Sequence, residues 1–535
     1  MDLTPSAASA ATSLTTLLAM AGPLALLALV LVPSRLANQA GKSFARAVAA
    51  LALCAFVLIA LAALFHTLIP QPAARPIGFG AASVNILLDP LSLTMALLVS
   101  FLSAVVTRYS VNYLGGDARQ GYFCKWLAVT SGCVLVLVLS GNLLAFTLAW
   151  IATSLGLHQL LTFFGDRPAA RGAARKKFLI SRLGEACIVG ALILTWHCHG
   201  TWDFHQLFAL AESPGAGGVH PGLCGAVSIL LVLGAILKSA QFPFHSWLPE
   251  TMETPTPVSA LMHAGIINAG GFLVVRLSPL IVLSPAALNV LAVVGAFTAI
   301  FASAVMLTQT SVKRSLAYST IAQMGFMMLQ CGLGAFALAI LHIVAHSLYK
   351  AYAFLSSGSI VQMSKSAWTP SGRPAAHPGI LAAILLTAIS ITWGIGSLFG
   401  LTVNHGALLL GSVFTMAVAY LLWNLWSSSH RWGLVGAGLG LSSLAALSYF
   451  TLHAVFEWLL APALPHYAPP RAAWELGVMA LIALLFLALL VLQSQLPAWS
   501  GARLGQALYV HASRGFYLGS YAHRFLASLS PKTTL

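Results

Sequence analysis

The sequence predicts an all-α polytopic membrane protein with about fifteen transmembrane helices. Of its 535 residues, 59% are hydrophobic and only 7% are charged, whereas a soluble domain carries about 25% charged residues. Many windows of about 20 residues contain no charge, which is typical of membrane-spanning helices. These apolar runs are continuous, so they do not fit a membrane β-barrel, whose strands alternate apolar and polar residues over about 10 positions.

The predicted spans follow the apolar runs in chain order, because a spanning helix needs about 20 predominantly apolar residues. They are centred on 14–32, 45–69, 90–107, 126–140, 143–164, 178–197, 222–239, 254–275, 286–308, 315–332, 334–360, 379–400, 406–429, 432–457 and 472–496.

The basic residues orient these spans, because cytoplasmic loops carry an excess of Lys and Arg. If the loop after the first span is cytoplasmic, most of the 26 basic residues fall on that side, including the dense cluster at 167–182. Only Arg75, Arg276 and Arg471 fall in outside loops. We therefore expect a multi-pass protein of the cell inner membrane, with its N-terminus outside and its C-terminus in the cytoplasm.

The formal net charge of +15 does not indicate nucleic-acid binding, because the basic residues are scattered over many short loops. Anionic membrane lipids suffice as their partners. His197-Cys198-His199 has no second ligand pair nearby, so we expect no metal site in this chain. No phosphate-binding loop, haem motif or iron–sulfur spacing is found in the sequence either, so we expect no cofactor.

Lys238 ends an apolar run and is followed by Ser239 and Pro243. A lysine at membrane depth costs about 2.5–3.5 kcal/mol, and such residues usually have a function. Proline disrupts a helix, and a broken helix is tolerated at that depth only where it lines a polar cavity. Lys238 could instead extend to the membrane surface. Because charge and helix break coincide, we favour ion translocation.

Glu185 lies three residues after Arg182, so the two side chains share a helix face. It is either half of a local ion pair or a charge that tunes Lys238. Asp89 precedes a span at Pro90, where a carboxylate is favoured by the helix dipole. We therefore interpret Asp89 as a helix N-terminal acid.

A second group of polar residues follows the break. His263 is either a buried core histidine or a proton relay, and the sequence leaves both open. Glu250 and Glu253 fit solvated loop acids slightly better than relay groups.

The third group is His342, His346 and Lys350, which are spaced by four residues. This spacing places all three on one helix face, about 6 Å apart per step. Histidine titrates near neutral pH, so the row indicates a proton wire at membrane depth.

These motifs resemble the antiporter-like subunits of respiratory complex I, above all its L-type subunit, and the related cation/proton antiporter subunits. The resemblance covers about 89–362. Its most specific parts are Lys238-Ser239-Ala240-Gln241, the segment PTPVSALMH at 255–263, KRSLAYST at 313–320 and the row at 342–350.

The resemblance implies two inverted five-helix repeats with broken helices, at 126–275 and 286–429. Helices at 1–125 and 430–496 flank them, and a cytoplasmic tail follows at 497–535. It also implies that Lys238 is the central lysine of the first half-channel, that His342, His346 and Lys350 connect the halves, and that Glu185 occupies an acidic position beside the first half-channel.

Two departures narrow the resemblance. Ile151 occupies the place after Trp150 where the family usually has a glutamate, and 379–429 offers only His405 and Tyr420 in place of the second central lysine or glutamate. Both features resemble the membrane subunit of DAB-type inorganic-carbon uptake complexes. In that family the membrane subunit pairs with a large cytoplasmic zinc protein similar to carbonic anhydrase, DabA. Zinc is therefore expected in the partner.

Three functions remain as hypotheses. The first is the proton-translocating subunit of an energy-coupled pump for CO2 and bicarbonate. The second is a proton-pumping subunit of an NADH-quinone oxidoreductase, a hydrogenase or a multisubunit cation/proton antiporter. The third is a structural scaffold, which leaves the costly polar row unexplained. The aromatic and basic tail fits either a partner interface or the inner leaflet.

Overall fold

The computed structural model describes residues 5–69, 85–213, 221–358, 377–400, 405–428, 432–465, 472–499 and 501–528. Across these ranges the regular structure is helical apart from two isolated β-bridges. The prediction of an all-α polytopic membrane protein is confirmed.

The first part of the chain carries the helices that hold Glu185, Lys238 and His263. They are α1 Pro5–Ala28, α2 Ser34–Leu68, α3 Pro90–Tyr113, α4 Gln120–Leu139, α5 Leu143–Leu161, α6 Pro168–His199, α7 Phe204–Glu212, α8 Pro221–Lys238, α9 Trp247–Glu250, α10 Thr256–Ala264, α11 Ala269–Arg276 and α12 Ser278–Ile281.

The second part is built from longer, mostly unbroken helices. They are α13 Pro285–Met306, α14 Val312–Gly332, α15 Phe336–Leu355, α16 Pro378–Ser397, α17 His405–Ser428, α18 Trp432–Leu460, α19 Ala473–Trp499, α20 Arg503–Ser513 and α21 Leu518–Ser528.

Each predicted span overlaps one of these helices, except 254–275, which covers both α10 and α11. Within the described part of the chain, 13 helical segments are long and apolar enough to cross a membrane. The apolar part of α8, Gly222–Lys238, is shorter, and α14 does not reach the same apolarity. The predicted number of fifteen spans therefore stays a prediction.

α13 and α14 cross in close contact because glycines line their interface. A Cβ atom added at Gly325 would lie 2.5 Å from the backbone nitrogen of Ala299, and one at Gly332 would lie 2.4 Å from that of Ala292. Small residues let helix backbones approach in membranes, where packing rather than the hydrophobic effect drives association. This crossing holds α14 beside the polar face of α15.

One large hydrophobic core joins α1 through α15. One smaller cluster packs α17 and α19 against α13–α15, and another packs α16 against α17 and α19. The helices that carry the predicted site residues therefore share a single packed core, which fixes their relative positions.

Polar contacts at the two ends of the bundle join residues that the sequence predicts to lie on the same side of the membrane. The contacts at the predicted outer end are Asp89–Arg276 at 2.6 Å, Asn289–Glu475 at 2.8 Å, and Asn85 with Asp203. Those at the predicted cytoplasmic end are Lys176–Glu250 at 2.6 Å, Arg167–Glu253 at 3.5 Å, and the Gln309 amide to the Ser513 carbonyl at 3.3 Å.

The alternation of the predicted topology thus agrees with the structure. Which end faces the cytoplasm stays a prediction.

The tail helices α20 and α21 lie against the predicted cytoplasmic end. Between them, Gly515, Phe516 and Tyr517 have φ values of 59°, 50° and 62°, so the chain makes a tight left-handed turn. The Phe516 ring packs 5.7 Å from that of Phe301 on α13, and Lys176 Nζ donates to the Gly519 carbonyl at 3.4 Å.

Candidate ion-translocation site

A helix break positions Lys238, as the sequence predicts. α8 ends at Lys238, Ala240 has a φ of 50°, and helical structure resumes only in short segments. The Ser239 hydroxyl donates to the Ile267 carbonyl at 2.7 Å, and the Phe242 N–H donates to the Thr298 hydroxyl at 3.1 Å. The first bond holds the break against the next span, which is itself interrupted between α10 and α11, and the second holds it against α13.

The Lys238 side chain is 8% exposed, so it does not extend to the membrane surface. Its Nζ lies 4.6 Å from the ring centre of Trp150 on α5, a cation–π distance. Among the described residues Nζ has no hydrogen-bond partner. The charges of Glu185 and Arg182 act on it, and it also interacts electrostatically with Lys177.

Glu185 and Arg182 form the ion pair predicted from their spacing, with a contact of 2.6 Å. The Glu185 side chain is 7% exposed and that of Arg182 is 34% exposed. Glu185 also interacts electrostatically with Lys177 and Lys238. The two interpretations of Glu185 are therefore compatible, because the carboxylate pairs with Arg182 and acts on Lys238.

Lys177 belongs to the same cluster, although the sequence placed it in a basic cytoplasmic loop. That placement is wrong: α6 begins at Pro168, ten residues before the predicted span, and encloses Lys177, which is 3% exposed. Its Nζ donates to the carbonyl and the hydroxyl of Ser154, at 3.0 Å each. The spacing of Lys177, Ser181 and Glu185 by four residues is the sequence signal for this buried face.

A small cavity lies between the two buried lysines. Its volume is about 10 Å³, roughly the room that a single water needs. The side chains that line it are Leu157, Lys177, Ser181, Leu237, Lys238, Trp247, Met262, Ile266 and Ile267. The cavity thus lies between α5, α6, α8, α9 and the interrupted span.

His263 and Lys350 form a second cluster, joined through α14. His263 Nδ1 lies 3.0 Å from the Thr320 hydroxyl, and the ring stacks on Phe354 at 4.4 Å. Thr320 and Lys350 both donate to the Leu316 carbonyl, at 3.0 Å each. Because the Thr320 hydroxyl donates to that carbonyl, its bond with His263 requires a proton on Nδ1, which leaves Nε2 as a proton acceptor.

The predicted row on α15 is confirmed as a geometric feature. The ring centres of His342 and His346 are 6.1 Å apart, and Lys350 follows one turn later on the same face. His342 Nδ1 lies 3.0 Å from the Gln330 side-chain oxygen. In the described part of the chain, neither ring nitrogen of His346 has a hydrogen-bond partner, and the side chain is 5% exposed.

The structure separates Glu250 and Glu253 from these clusters. Glu250 pairs with Lys176, and Glu253 pairs with Arg167 in an exposed contact. Both contacts lie at the end of the bundle, in accord with the slightly favoured interpretation as loop acids. A role of either glutamate in ion movement stays a prediction.

The buried charges of the described residues all lie before residue 351. In the later helices the buried polar contacts are between uncharged groups, such as the hydroxyls of Thr392 and Thr415 at 2.7 Å. The described residues also contain no group of three His, Cys, Asp or Glu side chains arranged to hold a metal.

The chain combines a buried lysine at the helix break after α8 with a row of His and Lys residues along α15. This combination defines the class of the protein as an antiporter-like membrane subunit. The family described as NADH:quinone oxidoreductase/Mrp antiporter transmembrane matches residues 140–429. The family described as complex I chain 5 N-terminus matches residues 76–124.

Sequence relatives identify the branch of this class. The chain is 39% identical to the probable inorganic carbon transporter subunit DabB2 of Halothiobacillus neapolitanus over 95% of its own length and 94% of that protein. It is 43% identical to the corresponding DabB of Hydrogenovibrio crunogenus over 65% of its own length and 67% of that protein. The chain therefore belongs to the DabB family within the antiporter-like membrane subunits.

Other relatives are more distant. The chloroplast NAD(P)H-quinone oxidoreductase subunit 5 of Ceratophyllum demersum is 37% identical over 59% of this chain and 43% of its own length. The fold is similar to the Mrp complex of Dietzia sp. DQ12-45-1b, with a TM-score of 0.56, 22% identity, and coverage of 99% of this chain and 61% of that one. The archaeal membrane-bound sulfane sulfur reductase gives a TM-score of 0.58 at 17% identity, over 95% and 99% of the two chains.

Proposed function

We propose that this protein is the proton-translocating membrane subunit of an energy-coupled pump for inorganic carbon. Lys238 is the central proton-binding group, Glu185 tunes its charge, and His263, Lys350, His346 and His342 relay protons along the core. The observation that carries the proposal is the pair of buried polar clusters in a chain that belongs to the DabB family.

The burial of these groups supports an ion path over a structural role. Lys238, His263, His346 and Lys350 are each at most 8% exposed. A scaffold gains little from titratable groups that are buried without an ion-pair partner, because their desolvation is costly. The apolar side chains of Met262 and Ile266 line the cavity beside Lys177 and Lys238, and we propose that a change at the helix break controls proton transfer past them.

The pump acts through a soluble partner that hydrates carbon dioxide: CO2 + H2O gives HCO3⁻ + H⁺. We propose a large cytoplasmic zinc protein of the carbonic-anhydrase type, DabA, in this role, with the zinc in that partner. One charge that crosses 100 mV supplies about 2.3 kcal/mol. Proton entry through this chain would make hydration one-way when the two subunits are coupled.

The similarity to NAD(P)H-quinone oxidoreductase subunit 5 supports the alternative function in a respiratory or antiporter complex. The departures at Ile151 and in the second half of the chain favour the carbon pump. Purification from native cells in mild detergent, with mass spectrometry and zinc analysis, distinguishes the two. We expect one large zinc-containing soluble partner; a set of flavin, iron–sulfur or antiporter subunits would overturn the proposal.

Replacement of Lys238 tests the ion path itself. We expect Lys238→Met to reduce uptake of labelled inorganic carbon at low CO2 at least tenfold, while the complex still assembles. Lys125→Met is the matched control, because Lys125 is a buried lysine that binds the Val32 carbonyl at 2.9 Å, outside both clusters. Wild-type uptake by the Lys238 variant would exclude Lys238 from the path.

A further inference from the structure

We propose that Lys177 is a second proton carrier of the first half-channel, which exchanges one proton with Lys238 through a water in the cavity between them. This inference rests on the proposed function and adds a residue to its path. It is independent of the identity of the soluble partner.

The position of Lys177 is the first argument. Lys177 and Lys238 line the same cavity, together with Ser181 and Trp247. Its volume of about 10 Å³ admits about one water, and such a water needs two to four polar partners. The ammonium of the charged lysine and the indole N–H of Trp247 can donate to such a water, and the amine of the neutral lysine and the Ser181 hydroxyl can accept from it.

The charge balance is the second argument. Lys238 is the strongest of the charges that act on Lys177, ahead of Glu185 and Arg182. Glu185 is thus the one carboxylate close to three cations in this cluster of described residues, and it already pairs with Arg182. His158 on α5 also faces Lys177 and Arg182. Because two buried ammonium groups repel each other strongly at low dielectric, a single shared proton is the favoured state.

The proton balance of the exchange is simple. The Lys177 ammonium gives a proton to the water, and the water gives one of its own protons to the Lys238 amine. Lys177 ends neutral, Lys238 ends charged, and the water is regenerated. Lys177 lies on α6 nearer than Glu185 to the predicted cytoplasmic end, so it is placed to connect Lys238 with that side.

Ser154 provides the alternative explanation, because Lys177 could merely tie α6 to α5 through its two hydrogen bonds. Arginine separates the two roles. It keeps the charge and the donors, yet it does not release its proton in proteins. A structural role therefore tolerates Lys177→Arg, whereas proton exchange does not.

The test uses the purified complex and cells that carry Lys177→Met, Lys177→Arg or the control Lys125→Met. Lys125 makes matching contacts, to the Val32 carbonyl at 2.9 Å and the Ser34 hydroxyl at 3.4 Å. We expect both Lys177 variants to lose at least tenfold in inorganic-carbon uptake, and the control to retain wild-type uptake. Wild-type uptake by Lys177→Arg would overturn the proposal.

Titration of the lysines by NMR gives a readout that does not depend on carbon uptake. With 13C at the lysine Cε, we expect Lys238 in Lys177→Met to titrate at higher pH than in the wild type, because the repulsion is lost. An unchanged Lys238 titration would show that the two groups are not coupled. A shifted titration in a complex that transports no inorganic carbon would contradict the carbon pump and support the lysine pair.

Discussion

Arg276 shows how a buried charge outside the proposed path is stabilised. Its side chain is 1% exposed, and it binds Asp89 through two contacts of 2.6 and 2.9 Å and the Ser92 hydroxyl at 2.5 Å. Asp89 also accepts from the Ser92 N–H at 2.7 Å, as predicted for a helix N-terminal acid. The pair fastens α3 to α11, so Arg276 has a structural partner, whereas Lys238 has none of this kind.

We expect Asp89→Asn to destabilise the protein by about 3 kcal/mol, because it leaves a buried guanidinium without its charge partner. Asparagine can still cap α3, so the loss of stability measures the effect of removing the charge of Asp89. Thermal unfolding in detergent measures it, and Asp89→Asn combined with Arg276→Met serves as the control that removes both charges. Equal stability of Asp89→Asn and the wild type would contradict the assignment.

The same pair predicts a pH dependence. Burial by itself raises the pKa of Asp89, but the charge of Arg276 and hydrogen bonds from Arg276 and Ser92 outweigh it and lower the pKa. The carboxylate therefore stabilises the fold above the unfolded-state pKa, about 3.9. That contribution is lost as pH falls through the lower folded-state pKa. Between pH 6 and pH 3, the stability difference between wild type and Asp89→Asn should shrink.

The sequence predicted individual residues well where spacing alone decides their contacts. Arg182 and Glu185, like His342 and His346, share a helix face because residues three or four apart lie on the same side of an α-helix. It missed contacts between distant segments, such as Asp89 with Arg276, because no local pattern encodes them. It also missed Lys177, because a lysine in a run of basic residues looks solvated until the start of α6 is known.

At the scale of helices, the crossing of α13 and α14 depends on glycine. We expect Gly325→Ala to destabilise the protein by about 1–3 kcal/mol through overpacking, because the new Cβ would lie 2.5 Å from a backbone nitrogen. Gly394→Ala on α16 is the control, since its Cβ meets nothing within 4 Å. A lower melting temperature for Gly325→Ala alone is the expected result, and equal melting temperatures would contradict it.

The seating of the tail depends on Gly515. A Cβ there would lie 2.8 Å from the Tyr318 hydroxyl, and the φ of 59° disfavours any side chain. The left-handed conformation alone costs about 1–2 kcal/mol, so we expect Gly515→Val to increase the proteolysis rate of the tail about tenfold. Gly501→Val, with nothing within 4 Å of its Cβ, is the control. Equal cleavage of both variants would show that the tail is not held through this turn.

The sequence predicted the existence of the helices because long apolar runs have few alternatives in a membrane. It predicted their ends less well. α6 extends ten residues before the predicted span, because neighbouring helices bury one face of its first turns, including Lys176 and Lys177, while Arg171 and Arg175 stay exposed. The break after Lys238 was predictable from Pro243, whereas the interruption between α10 and α11 has no proline to mark it.

At the scale of the whole molecule, the contacts at each end of the bundle join residues that must lie on the same side of the membrane. We expect a C-terminal green fluorescent protein fusion to fluoresce, and alkaline phosphatase fused after Ser213 to be active. The first reporter works in the cytoplasm and the second outside it. The reverse result for both fusions would show that the protein has the opposite orientation.

The buried charges also divide the molecule. The described residues carry them only in the part that ends with α15, and the later helices pack through apolar and hydroxyl side chains. For α16 and α17 this follows from the sequence, because 379–429 contains no acidic, lysine or arginine residue. The relative placement of the two polar clusters was not predictable, because it depends on how α6, α8, α10 and α14 meet.

The position of Lys238 at the end of α8 links the protonation of this lysine to the helical state of the last turn. Lys238 lies in its last turn, where the helix dipole favours a cation by about 0.3–1 kcal/mol, and by up to about 2 kcal/mol when partly buried. Unwinding that turn would lower the affinity of Lys238 for its proton. By thermodynamic linkage, a proton bound to Lys238 opposes the unwinding. The tail helix α21 packs against the segment 244–246 just beyond the break. The tail therefore contacts the chain just beyond the turn that holds Lys238, so we expect displacement of the tail to change how readily Lys238 binds a proton.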